Sequence, residues 1–352
     1  MLESRFAAFT LSSLLLLGAT TPATAGEDAF RYFAEDTLYA NVFGFESAGA
    51  SFQQLKSFVG KLQDPGKDEL GNALAKSRED LGVDIETELL PLFVGDLAFG
   101  VNIAMQDVMA LAMAGDDPTN PAVQDSIYKV LLVVGCRSES GLDGVMKKVA
   151  DKRGDTLLAI DLDGTKGWKY VTKTAKEGAP TLHWVHHEGR MLMGLSPRAL
   201  TGALGRHGSG RHLLASDDYK KVRAHVPKTA ESLTYINLPD LAAQLRAAAM
   251  FVPQGDDEVR GAIDLFLDEN AAPFGVLTAT SRAGDGQVRT TYGPDSMLAQ
   301  LGSQLIGQSL PMLSVWAGPG MLLGMSSAME DHDGNAGDHG ARHHDRRSGD
   351  HH

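Results

Sequence analysis

The chain has 352 residues, 43% of them apolar, and a formal net charge of −13. That apolar share is enough for a packed core, while the acidic balance speaks against nucleic acid or an anionic membrane surface as partner, because both call for a basic face. With a single cysteine, Cys136, no intrachain disulfide can form, and stability has to come from packing.

The first 25 residues have the three parts of a secretory signal: Arg5 in a short start, an apolar run from Phe6 to Leu17, and the small residues Ala23, Thr24 and Ala25 ahead of a cleavage site. The run is about a dozen residues long, short of the roughly 20 that cross a bilayer as a helix, so cleavage after Ala25 is expected. The address implied is secreted or periplasmic, with envelope association as a variant of it. The mature chain beyond Ala25 exceeds the ~250–300 residues at which one core stops growing. The expected division is a first α+β lobe over 26–228, a smaller α+β lobe over 229–295, a charge-free segment over 296–329 and a tail over 330–352.

Along the first lobe, Leu97, Phe99, Val101 and Ile103 alternate as in a half-buried strand, and Val130 to Val134 reads as a strand buried on both faces. Cys136 ends that run and is expected to be a buried thiol. Ser138 or Ser140 can cap a helix that places Leu142, Val145, Met146 and Val149 on one face. Turn chemistry gives three hairpins, at Asp163-Gly164, Glu188-Gly189 and Asp285-Gly286, because such pairs supply the positive φ angles of tight antiparallel turns. Ser196 ahead of Pro197, and Ser216 ahead of Asp217 and Asp218, mark helix starts. The fold class expected is α+β, antiparallel sheet built of hairpins with packed helices.

A weak internal repeat aligns Ala34, Glu35, Tyr39 and Asn41 with Ala230, Glu231, Tyr235 and Asn237 without gaps, which raises two related lobes as an alternative to chance likeness. Ser296 to Met329 lacks any charge, but Pro311 and Gly318-Pro319-Gly320 interrupt it, so a helical hairpin or a weak membrane association is expected there. The tail has almost no apolar residues and is expected to be disordered.

Glu35 to Val42, Leu81 to Ile85 leading into Leu89 to Phe93, and Leu214 to Tyr219 leading into Tyr235 to Leu238 together resemble an uncharacterised family of exported bacterial proteins, a domain of unknown function. The resemblance spans about residues 34 to 290 and implies an extracytoplasmic α+β domain. It transfers no catalytic residue.

Several patterns bear on chemistry. Asp161-Leu162-Asp163-Gly164-Thr165 looks like the nucleophile strand of haloacid-dehalogenase-type phosphatases. Asp217 comes too soon after it, though, for the crossover units of about 30 residues each that such a site needs. Arg206, His207, Arg211 and His212 flank Gly208-Ser209-Gly210 and read as a small basic loop, a solvated connector or alternatively an anion site. His183 and His187 share one face of a strand about 13 Å apart, too far to chelate one ion alone, and with His186 read as exposed or cross-strand histidines. In the tail, His332, His339, His343, His344, His351 and His352 alternate with aspartates, a flexible donor set for Zn, Ni or Cu(II). Methionines at 105, 109 and 113 and at 321, 325 and 329 repeat at helical spacing, which is usually core packing and alternatively a soft copper(I) set.

No catalytic set is complete. The reading is therefore a non-enzymatic exported binding or assembly protein whose tail holds divalent metal, with an envelope protein as partner and no nucleic acid. The alternatives are a carrier of a hydrophobic ligand in a groove between lobes, and an envelope-anchored structural protein.

Overall fold

Val130 to Val134 is apolar at every position, and a strand of that kind needs cover on both of its faces. The computed structural model describes residues 24–50, 52–53, 56–57, 69–102, 129–173, 181–249, 257–269, 271–283, 286–296 and 299–300, and it supplies that cover. The strands are β1 (Tyr39–Ser47), β2 (Phe93–Asn102), β3 (Lys129–Cys136), β4 (Thr156–Leu162), β5 (Thr165–Val171), β6 (Leu182–His187), β7 (Arg190–Gly194), β8 (Ser232–Ile236), β9 (Val276–Ala283) and β10 (Gly286–Tyr292). They form one sheet in the order β10-β9-β8-β1-β2-β3-β7-β6-β5-β4, antiparallel at each of these pairings. The helices are α1 (Glu69–Leu81), α2 (Glu139–Arg153), α3 (Pro197–Ser209), α4 (Asp217–Arg223), α5 (Leu238–Ala249) and α6 (Asp257–Glu269). The fold is α+β.

Alternation along β3 sorts the core into two layers. Leu131 and Val133 point to the layer where Leu200 and Ala203 of α3, Tyr219 and Val222 of α4, and Phe30 pack. Leu132, Val134 and Cys136 point to the other, against Leu142, Met146 and Ala150 of α2, Leu238 and Ala242 of α5 and Leu267 of α6. Each large side chain buried this way is worth ~1.5–3 kcal/mol before entropy is set against it.

Local signals account for many boundaries. Asp163 and Gly164 have φ of 52° and 84°, and Glu188 and Gly189 have 49° and 70°, which closes the β4–β5 and β6–β7 hairpins on two-residue turns. Ser138, Ser196 and Ser216 accept from the backbone N–H of Gly141, Ala199 and Tyr219 and so cap α2, α3 and α4.

The basic loop expected over 206–212 is not one. The helix α3 runs on through Arg206, His207 and Gly208 to Ser209 and ends at Gly210, which takes the left-handed conformation at φ 71°. Leu200 and Ala203 are fully buried, and that packing outweighs the poor helix propensity of Gly202, Gly205 and Gly208.

A segment ahead of β1 completes the first layer. The turn of helix at Glu27–Tyr32 buries Ala29, Phe30 and Tyr32. The Glu27 carboxylate accepts from Tyr219 Oη (2.6 Å) and Arg223 Nε (2.9 Å), while the Arg223 η nitrogens donate to the carbonyls of Val226, Pro227 and Lys228. Ala25 N–H donates to the Ala230 carbonyl. The two stretches of the sequence repeat lie side by side: β1 pairs with β8, Tyr39 opposite Ile236, and Asn41 Nδ2 donates to Thr234 Oγ1 at 2.6 Å. The sheet thus runs across the boundary at residue 228, and the matched Tyr39 and Tyr235 pack on opposite faces of it.

Candidate functional site

Side chains alternate along β6, so its histidines part company. His183 and His187 face α3 and His186 faces α2. None of them is a solvent-facing residue: His183 is 3% exposed, and the other two are engaged by neighbours on their own sides of the sheet.

The side of α3 gathers the donors. His187 ends β6, Glu188 occupies the hairpin turn, and His207 reaches them from the last turn of α3. One donor atom from each lies within 4.8 Å of the other two. The His187 and His207 rings meet edge to face with centroids 5.1 Å apart, and His207 Nε2 stands 3.4 Å from Glu188 Oε2. Tyr32 orders both rings: its hydroxyl is 2.9 Å from His187 Nδ1, and its ring stacks on His207 at 4.6 Å. Behind it, buried Asp96 forms an ion pair with Arg190.

The electrostatics favour a neutral imidazole at His207. Burial pushes the Tyr32 phenol up to about 12, with Arg190 working the other way, so the hydroxyl keeps its proton. Burial holds His207 below the usual histidine range, against the pull of Glu188, which leaves the imidazole neutral at pH 7. A neutral imidazole is a metal ligand and a protonated one is not. Two imidazoles and a carboxylate suit zinc, nickel or copper(II). The hydroxyl of Tyr32 fixes the ring of His187 from behind, as a partner in the second layer around a metal does. The Glu188 side chain is 64% exposed, so the cluster opens to solvent at the tip of a hairpin.

On the other face, Asp143 of α2 is a structural hub. Its carboxylate is bonded to Trp168 Nε1 (3.0 Å), Trp184 Nε1 (3.1 Å) and His186 Nε2 (2.9 Å). Cys136 lies in the same layer, and burial, with Glu139 and Asp143 adding to it, pushes its thiol up to about 11. Such a thiol is inert at neutral pH, in keeping with a buried cysteine.

Of the phosphatase-like residues, Asp161 accepts from the Gly164 N–H at 3.0 Å and serves the β4–β5 turn at the sheet edge, with antiparallel neighbours throughout. The tail histidines His332, His339, His343, His344, His351 and His352 and both methionine sets lie outside the described residues, as does most of 296–329. No described helix is long and apolar enough to cross a membrane. The sequence names all three residues but joins none of them: His187 reads as an exposed or cross-strand histidine, Glu188 as a turn residue and His207 as part of a basic loop. The available signal is the basic pair Arg206-His207, which suits the negative end of a helix dipole and so marks a helix end.

Comparison of the chain with protein-family models, with curated proteins and with solved structures finds no match.

Proposed function

We propose that this is a non-enzymatic exported protein that binds a divalent transition metal, zinc, nickel or copper(II), through His187, Glu188 and His207. The observation that carries the reading is the meeting of these three donors from a hairpin turn and a helix end, with Tyr32 holding both imidazoles. Three protein donors leave a coordination position open, and a histidine of the tail is a chemically suitable fourth ligand. Export rests on the signal at residues 1–25. Binding is favoured over catalysis because the cluster sits at an exposed hairpin tip and not in a cleft that excludes water.

Calorimetric titration of the full chain with zinc, nickel and copper(II) tests this. The six tail histidines are replaced by alanine in one variant, and His187 and His207 in another. The expected result is one tightly held ion in the tail variant and its loss in the other, with secondary structure unchanged by circular dichroism. Absence of a bound ion in the tail variant refutes the site in the body.

A further inference from the structure

The layer that carries α3 also contains a cavity of about 470 Å³, within the range of about 300–1,000 Å³ typical of small-molecule sites. Its floor is the end of β2 and β3, where Gly100 pairs with Leu131 and Asn102 with Lys129. Its walls are the Phe33–Thr37 segment and the first half of α3. The ring of Phe33 takes the space over Gly100, where a Cβ would stand only 2.7 Å from Phe33 Cδ1.

The charge of this cavity runs against that of the protein. Lys129, Arg198 and Arg206 line it, and no carboxylate does among the described residues, although the chain as a whole carries −13. Arg206 is half-buried. It donates through Nε to the Tyr32 carbonyl at 3.2 Å, and its remaining guanidinium donors are the kind that a planar anion satisfies in pairs. Burial lowers its hold on the proton, with Asp36 opposing, so a bound anion would relieve a partly desolvated cation. Glu35 and Asp36 belong to the neighbouring depression, which shares Gly202 and Arg206 with the cavity. The rest of the lining is mixed: Thr37, Asn102 and Thr201 are neutral hydrogen-bonding groups, while Phe33 and Leu131 form an apolar wall.

We infer that this cavity binds a small amphiphilic anion, its carboxylate or phosphate head held by Lys129, Arg198 and Arg206 and its short apolar body lying against Phe33 and Leu131. The inference uses none of the three metal donors and stands apart from the metal reading.

Titration of the full chain with octanoate, octyl phosphate, 1-octanol and inorganic phosphate separates the contributions. Saturable one-to-one binding of an octyl anion is expected, at least about ten-fold tighter than either octanol or inorganic phosphate. Preference between the two octyl anions assigns the head group. Octanol or inorganic phosphate binding as tightly as the octyl anions overturns the inference, and so does binding of none of the four. Among the described residues Arg198 has no hydrogen-bond partner, so Arg198→Gln should leave the melting temperature in place while weakening the octyl anion about ten-fold or more. Unchanged affinity in Arg198→Gln also overturns it. Zinc titration of the same variant is expected to match the wild type, which keeps failure at one site distinguishable from failure at the other.

Discussion

The hydroxyl of Tyr32 lies 2.9 Å from Nδ1 of His187, which stands 155 positions later in the chain. Tyr32 also stacks on His207, so one side chain from the segment ahead of β1 sets the geometry of two imidazoles from β6 and α3. Tyr32→Phe keeps the ring and removes the hydroxyl. Zinc affinity is expected to fall about ten-fold, the low end of losses for partners behind a ligand, and stability by about 1 kcal/mol. Calorimetry with zinc and urea denaturation measure the two, and an unchanged zinc affinity would mean that Tyr32 does not position the site.

His207 and the nearby His212 give stability a pH dependence. His207 and His212 are both held below the usual histidine range, chiefly by burial. In the unfolded chain they take up protons near pH ~6.5. Between that pH and their lower folded values the unfolded state binds more protons, so stability is fully present above about pH 6.5 and declines as pH falls through the window. Metal should also be released as pH falls, because protons compete for the imidazoles. Urea midpoints from about pH 7.5 downward should drop in the wild type and drop less in His207→Gln. Equal slopes in the two would remove His207 from the account.

On the opposite face, Asp143→Ala strips the shared acceptor from two indoles and an imidazole. Trp184 is fully buried and cannot turn to water instead. A loss of about 2–3 kcal/mol is expected, since the donors left behind are desolvated. Tryptophan emission should change as well, and the better helix propensity of alanine would not offset the loss.

Two glycines should respond in opposite directions to alanine. At Gly135 a Cβ would lie 2.0 Å from the Val94 carbonyl oxygen, where β3 passes the irregular stretch of β2. Backbone cannot move aside cheaply there, and Gly135→Ala should cost about 2 kcal/mol or more. Gly144, inside α2, has nothing within 4 Å of the same atom, so Gly144→Ala should stabilise by about 0.5–1 kcal/mol. Thermal melts of the pair decide it, and destabilisation by both would show that α2 tolerates no added bulk at position 144.

Features encoded by neighbours are legible in the sequence. Asp163-Gly164 and Glu188-Gly189 announce their turns, Ser138, Ser196 and Ser216 announce their helices, and the unbroken apolar run ending at Cys136 announces a strand covered on both sides. Strand order is not legible, because nothing local to Tyr39–Ser47 says that it pairs with both β2 and β8. The site is half legible for the same reason. Glu188-Gly189 places His187 beside a hairpin turn, whereas the glycines around His207 give that stretch the look of a loop. Only the burial of Leu200 and Ala203 against the sheet carries the helix far enough to bring His207 over the hairpin.

The place of β1 in mid-sheet also sets an order in time. Asn41 meets Thr234 across 193 positions, and Glu27 meets Arg223 across 196. A chain emerging from its N-terminal end therefore has its central strand zipped on one side only, and Phe30 without Tyr219 beside it, until the last third has been made. Pairings so distant in sequence slow folding. The Glu27–Tyr32 turn and β1, though early in the chain, are therefore among the last elements to settle.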